Sequence, residues 1–416
     1  MKKLLMITSY PLKGKLHGNK TVGIASYAKN TILSLKSMFK DVQITVLAER
    51  FENKNESYKE KGILIERIWK RNSLLTFINL IKYVLTNFKD GKKVLIEFEV
   101  SMFGSILYLI PFLFFLFFLK ILKKDVILVM HQVIPDINEM YGHLNMEPHT
   151  FLTKLVNIFV HIYYVLIQRI VGKTIVFEEI LKNRLRRISR KKNIVVIPHG
   201  IESFNLGLSQ KQARKKLKIP ANKFIILSFG FIAWYKGTDV ILNMFRESFS
   251  KDDRNKNHML IIAGGPNPNH LDKDFYVNYV NKIEKESKNN ILVTGFVPEE
   301  KIPLYFQAAD VVVLPYRTLM SSSGPLSLAF SFKKPVLLSQ NIKAIFETKD
   351  ISALLSSFKV KKGNLLFKNK GDFKQKINKI IKDVKLKKKL ALFAKELSKV
   401  RSWNNLSKLY YEEIFT

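Results

Sequence analysis

Residues 310–336, DVVVLPYRTLMSSSGPLSLAFSFKKPV, constrain the fold more than any other stretch of the chain. The segment opens on a continuous apolar run, 310–315. Val311, Val312 and Val313 are β-branched, and a run apolar on both faces is the pattern of a buried parallel strand. A polar loop of small residues follows, ending in Ser321, Ser322, Ser323 and Gly324. Pro325 then opens an apolar segment through Leu326 to Phe332. Proline suits the first helical turn, where its missing N–H would have no partner. Ser323 or Gly324 can cap that helix, leaving free N–H groups at its positive end. Strand, small-residue loop and helix start, in that order, can hold a phosphate. The same order is also that of an ordinary capped βα turn.

The rest of the chain repeats the theme. Short apolar runs at 4–9, 42–47, 63–68, 94–98, 126–130, 173–177 and 194–197 read as strands, and helical patterns lie between most of them. A second series follows at 224–229, 259–263, 291–294, 310–315 and 336–338. Strands alternating with helices predict an α/β protein built on parallel sheets. A length of 416 residues predicts two domains or more. The boundary expected is residues 1–204, joined by the C-terminal helix 400–416, against 205–399. The chain has no cysteine, which removes disulfides and thiolate metal sites. The start, MKKLLMITSYP, lacks the longer apolar stretch of a signal peptide and reads as the first strand.

Ligand-contacting residues of open α/β sheets sit at the carboxyl ends of strands. His131 stands at one such end. Gly18 and Gly23 follow the first strand, but not with dinucleotide-fingerprint spacing. Gly230, Gly264 and Gly265 end strands of the second series and leave room for a ligand against the backbone. Lys236 lies just beyond Gly230, in reach of a diphosphate as a point charge. The net charge of +36 predicts attraction to nucleic acid, anionic lipid or phosphorylated substrates. No RNA- or DNA-binding signature accompanies it, so nucleic acid is not the expected partner. Residues 106–119, ILYLIPFLFFLFFL, fall short of a spanning helix. They read as a buried helix or as one that dips into a leaflet, with Lys120, Lys123 and Lys124 at the headgroups.

Taken in order, the motifs resemble a known family. GNKTVGIASY (18–27), EVSMFG (99–104), the strand ending at His131, IPHGI (197–201), FGFIAWYKGTD (229–239), IAGGP (262–266), the GFV of 295–297, the AAD…PY of 308–316 and Trp403 follow the pattern of glycosyltransferase family 4. The resemblance implies the GT-B fold, two Rossmann-like domains facing across a cleft with a C-terminal helix crossing back to the first. It implies a glycosyltransferase using a nucleoside-diphosphate sugar, with retention of anomeric configuration and no metal or other cofactor. His131 and Glu99 would face the sugar. Lys236, the amides of Ser322, Ser323 and Gly324, the helix start at Pro325–Leu326, and Arg317 would hold the diphosphate. Tyr316 and the glycines would line the cleft. With the charge and the apolar segment, it implies a saccharide or lipid-linked acceptor in surface polysaccharide synthesis, at the inner face of a cell membrane in the cytoplasm.

Two departures accompany the resemblance. Many members carry a Glu-x7-Glu pair where this chain has Met320 and Leu328, and an Arg where it has Ala233. The chain follows instead a variant loop, Tyr-Arg…Ser-Gly-x-Leu. A catalytically inactive nucleotide-sugar-binding partner of an active transferase is the alternative reading.

Overall fold

The computed structural model describes residues 2–16, 24–134, 136–191, 193–202, 207–250, 257–267 and 270–416. The first sheet contains β1 (Lys2–Ile7), β2 (Val42–Glu49), β3 (Glu56–Glu60), β4 (Ile63–Trp69), β5 (Lys93–Phe98), β6 (Asp125–Met130), β7 (Lys173–Val176) and β8 (Ile194–Val196). Its order is β3-β4-β2-β1-β5-β6-β7-β8. Only the edge pair β3–β4 is antiparallel. β3, ESYKE, is a polar edge strand without the apolar run that would announce it. The second sheet contains β9 (Phe224–Phe229), β10 (His258–Ala263), β11 (Ile291–Val293), β12 (Val311–Leu314), β13 (Val336–Ser339) and β14 (Leu366–Phe367), in the order β11-β10-β9-β12-β13-β14, all parallel. The alternation expected from sequence is therefore present, as two parallel α/β units.

In each sheet the strand order reverses beside the first strand of its series. β1 lies between β2 and β5, and β9 between β10 and β12. The crevice at the carboxyl ends of such strands is where open α/β sheets bind ligands. Burial fixes the register, because these strands are covered on both faces. Met6 pairs with Val46 and Leu95, and all three are buried.

The C-terminal residues cross back. Helix Trp403–Phe415 buries Leu406, Tyr410 and Ile414 against the first domain. Tyr410 Oη lies 2.7 Å from Tyr27 Oη of helix Ile24–Met38, and Tyr411 stacks on Phe39. The lysine-rich tail before it is two helices, Lys370–Lys382 and Val384–Val400. Asp383 breaks them and caps the second by accepting from Leu386 N at 2.8 Å.

The domains also meet directly. Gln132 forms a lone antiparallel bridge with Ser321, and Val133 N donates to Met320 O. Thr318 Oγ1 donates to Glu139 Oε2 at 2.8 Å. The loop before the helix Gly324–Ser331 is thus laid across the strand-end loop that follows His131.

Candidate active site

The second-domain side of the cleft is organised by one close approach. Gly230, at the end of β9, has φ +109°, a conformation that side chains rarely adopt. A Cβ built there would lie 3.1 Å from Lys236 Nζ and 3.3 Å from Pro325 Cγ. A strand end, the lysine and the first turn of helix Gly324–Ser331 therefore converge on one spot. Gly264 closes the same place from behind, since a side chain on it would strike the Gly230 carbonyl.

Lys236 carries the chemistry of this spot. Among the described residues it has no ion pair or side-chain hydrogen bond; the Tyr235 ring lies at 5.9 Å, and the lysine's charge also acts on His143. Burial alone pushes its pKa down to about 8. A partly buried cation without a carboxylate is a site for an anion.

The helix beside it is capped as its sequence requires. Ser323 Oγ accepts from Leu326 N, and Tyr316 Oη holds that hydroxyl at 3.0 Å. Open space adjoins the Gly324 Cα. One turn on, Ser327 Oγ lies 3.1 Å from His199 Nδ1 of the first domain. Ser322 lies in the crossing loop, accepting at its carbonyl from Ser321 Oγ. Gly265 lies beside Phe296 and accepts at its carbonyl from Ile232 N.

Arg317 is not an open cation. Its guanidinium is bidentate on Asp239, at 2.8 and 2.6 Å, and it stacks over Trp234. This pairing holds Asp239 below the usual carboxylate range. Arg317 fixes the loop that carries Lys236 instead of joining it at the cleft. Gly18 and Gly23 lie outside the described residues.

The facing wall is built on β5 and β6. His131 follows β6 and is buried on an aromatic floor of Tyr27 and Phe177. Its Nε2 lies 2.6 Å from Glu97 Oε2. The carboxylate partner of His131 is thus Glu97. Burial raises the pKa of Glu97 well above its ordinary value and pushes His131 down to about 4. Burial thus disfavours the charged form of each partner. Glu99, beyond the end of β5, is half-buried and accepts from Ser101 Oγ. Its charge is felt by both His131 and Tyr235, one on each side of the cleft.

Glu97 is absent from the sequence reading, although its signal is plain. It is an acid inside the otherwise apolar strand VLIEF, and such a carboxyl needs a buried partner. Glu97→Gln is expected to keep the hydrogen bond, with the amide N–H donating to Nε2. Glu97→Ala leaves His131 unpaired and is expected to cost roughly 1–3 kcal/mol in urea unfolding. If the pair were an ion pair, Gln would fail as badly as Ala.

Among the described residues no three His, Asp or Glu side chains come together as a metal-binding group.

Comparison with known proteins adds the family. Residues 209–397 match the family model for "Glycosyl transferases group 1". Over this stretch, a little under half of its length, the chain is similar to that family. All of Gly230, Lys236, Tyr316 and the helix Gly324–Ser331 lie inside the matched stretch. A D-inositol 3-phosphate glycosyltransferase of Corynebacterium aurimucosum is 28% identical over 127 residues, 30% of this chain and 30% of the relative's own length. Solved structures align along nearly the whole chain. Sucrose-phosphate synthase from Thermosynechococcus elongatus superposes with a TM-score of 0.71 at 13% identity, covering 99% of both chains. Anabaena HepE in complex with UDP-glucose gives 0.65 at 14%, also covering 99% of both. An α,α-trehalose-phosphate synthase (UDP-forming) from Burkholderia vietnamiensis gives 0.68 at 9%, covering 99% of this chain and 96% of its own. At these identities they show the fold alone, a two-domain GT-B arrangement.

Proposed function

We propose that the protein is a glycosyltransferase that moves a sugar from a nucleoside-diphosphate sugar to a saccharide acceptor. The observation that carries the reading is Lys236, a cation without a carboxylate, set against Gly230 and the first turn of helix Gly324–Ser331. Departure of a nucleoside diphosphate leaves negative charge on its β-phosphate. A fixed cation and a helix N-terminus aimed at that charge stabilise it most where it develops. The similarity to the group 1 family and the likeness to a HepE structure holding UDP-glucose support a nucleotide-sugar donor.

His131 and Glu99, on the first domain, would meet the sugar. The imidazole would hydrogen-bond one sugar hydroxyl, and the carboxylate would accept from another. Transfer with retention is the outcome proposed. The acceptor proposed is lipid-linked, in surface polysaccharide synthesis, because the chain is strongly basic and such acceptors lie among anionic headgroups.

A thermal-shift series with UDP-, GDP-, ADP- and CMP-sugars tests the donor. A ligand at a hundred times its Kd stabilises by about 2.7 kcal/mol. A shift with one nucleotide class, lost in Lys236→Ala, is the expected result. No shift with any of the four overturns the donor site.

A further inference from the structure

Of the twenty-seven large apolar side chains that lie exposed among the described residues, seventeen belong to one face of the first domain. Three helices build it: Leu75–Asn87, Leu109–Ile121 with the turn Ile106–Tyr108 before it, and Phe151–Ile170. They pack side by side, the second between the other two. Their inner sides are ordinary core, with Phe112, Phe115 and Ile167 fully buried. Their outer sides are as apolar as their inner ones. Leu107 and Phe151 are each 77% exposed and Phe114 is 69% exposed. Scattered exposed leucines need no explanation, but a contiguous patch of this kind does.

The charge on the face selects the occupant. Residues 74–88, 106–121 and 151–170 contain no Asp or Glu. Their cations are Lys82, Lys120, Lys154 and Arg169, all exposed. A second copy of the chain laid face to face would set cations against cations. An anionic bilayer would meet apolar side chains with acyl chains and the cations with phosphates. Phe151–Ile170 is long and apolar enough to cross a membrane. Its buried side, however, holds Gln168, which donates to Thr174 Oγ1 of β7, so it lies along the domain.

The topology places this face next to the cleft. Each helix starts beyond the carboxyl end of a strand, β4, β5 or β6, and the ends of β5 and β6 carry Glu99 and His131. We propose that the three-helix face docks on an anionic lipid bilayer, which sets the cleft rim bearing Glu99 and His131 at headgroup level. A saccharide on a lipid anchor would then enter without leaving the membrane. That last step rests on the transfer reading above, whereas the lipid binding does not.

Flotation with phosphatidylcholine vesicles, with and without phosphatidylglycerol, tests it on the full chain. Wild type is expected to float with the anionic vesicles and to be released by salt. Phe114→Asp is expected to weaken partitioning at least about tenfold, and Lys154→Ala about fivefold. These side chains are exposed, so folding is checked by an unchanged thermal midpoint and by unchanged donor binding, which reports on the transfer reading separately. Wild type that stays in the soluble fraction at low salt overturns the proposal. So does a concentration-dependent dimer abolished by Phe114→Asp with no vesicle binding, which would assign the face to a second copy.

Discussion

Lys236→Met is expected to do two opposite things, lowering kcat/KM by about 10²–10³-fold and raising the melting temperature of the ligand-free protein. The first effect is the usual loss when one fixed donor to a developing anion is removed. The second follows from what the lysine lacks. Among the described residues no carboxylate offsets its burial, and its pKa falls from 10.5 to about 8. That shift corresponds to at most about 3 kcal/mol of destabilisation at neutral pH. Methionine keeps most of the packing and removes the charge. The sign with pH is fixed by linkage. Between about pH 8 and 10.5 the unfolded chain binds more protons at this lysine than the folded one, so stability rises with pH in that window. The cost is complete below pH 8 and gone above 10.5. The gap between variant and wild type is therefore widest at neutral pH and closes on the alkaline side. A diphosphate in the site restores the lysine's ordinary basicity, so donor protects wild type more than the variant. Melting curves from pH 6 to 10.5, with and without nucleotide, check this. A variant less stable than wild type at pH 7, or a gap that ignores pH, would show that Lys236 is held by something other than its ligand.

How much of this was legible beforehand depended on whether a residue's role is local. β12, the Ser323 cap, Pro325 in the first turn and the strand ends at Gly230 and Gly264 are local. Each is written in adjacent residues and stands where the pattern puts it. The convergence of Gly230 with Lys236 and Pro325 is not local. It comes from the pairing of β9 beside β12, which brings residues far apart in sequence to one strand edge. Arg317 shows the limit most clearly. From its position after Pro315-Tyr316 it was expected at the diphosphate. Asp239, two residues after Gly237, claims it instead, and a bidentate carboxylate is the partner an arginine finds most favourable. His131 is legible from its place at a strand end, but the buried acid it bonds, Glu97, is fixed by the pairing of β5 with β6. Glu99 lies beyond β5, whereas Glu97 lies within it, buried beside β6. Residues 106–119 stand out by hydropathy as one helix. Its two neighbours are amphipathic enough to pass as core helices, and only their packing side by side exposes a common face.

Arg401→Met carries the largest expected loss of stability, about 3–5 kcal/mol, because it removes one member of a buried charge cluster. Arg401 is 4% exposed and lies where the chain leaves helix Val384–Val400 for the first domain. Its guanidinium is bidentate on Asp350, at 2.6 and 2.9 Å, and its carbonyl accepts from Ile201 N. The same charge acts on Glu178 of the first domain, buried and hydrogen-bonded by Thr348 Oγ1 of the second. The cluster thus ties both domains to the start of helix Trp403–Phe415. Arg401 depresses the pKa of Asp350, and that contribution is present at neutral pH and lost as pH falls through the acid range. Burial raises the pKa of Glu178 despite Arg401. Without the arginine it rises further, and the cost of keeping Glu178 charged grows above pH 4.5. Both effects have the same sign. The variant is worst at neutral pH and approaches wild type as pH is lowered toward 4, where the carboxylates take up protons. Adding Asp350→Asn removes one of the two stranded charges and should recover part of the loss. Urea unfolding at pH 4.5 and pH 7.5 measures both. An equal loss at the two pH values, or a double variant no better than the single, would mean that Arg401 acts through packing of its stem and not through the charges it joins.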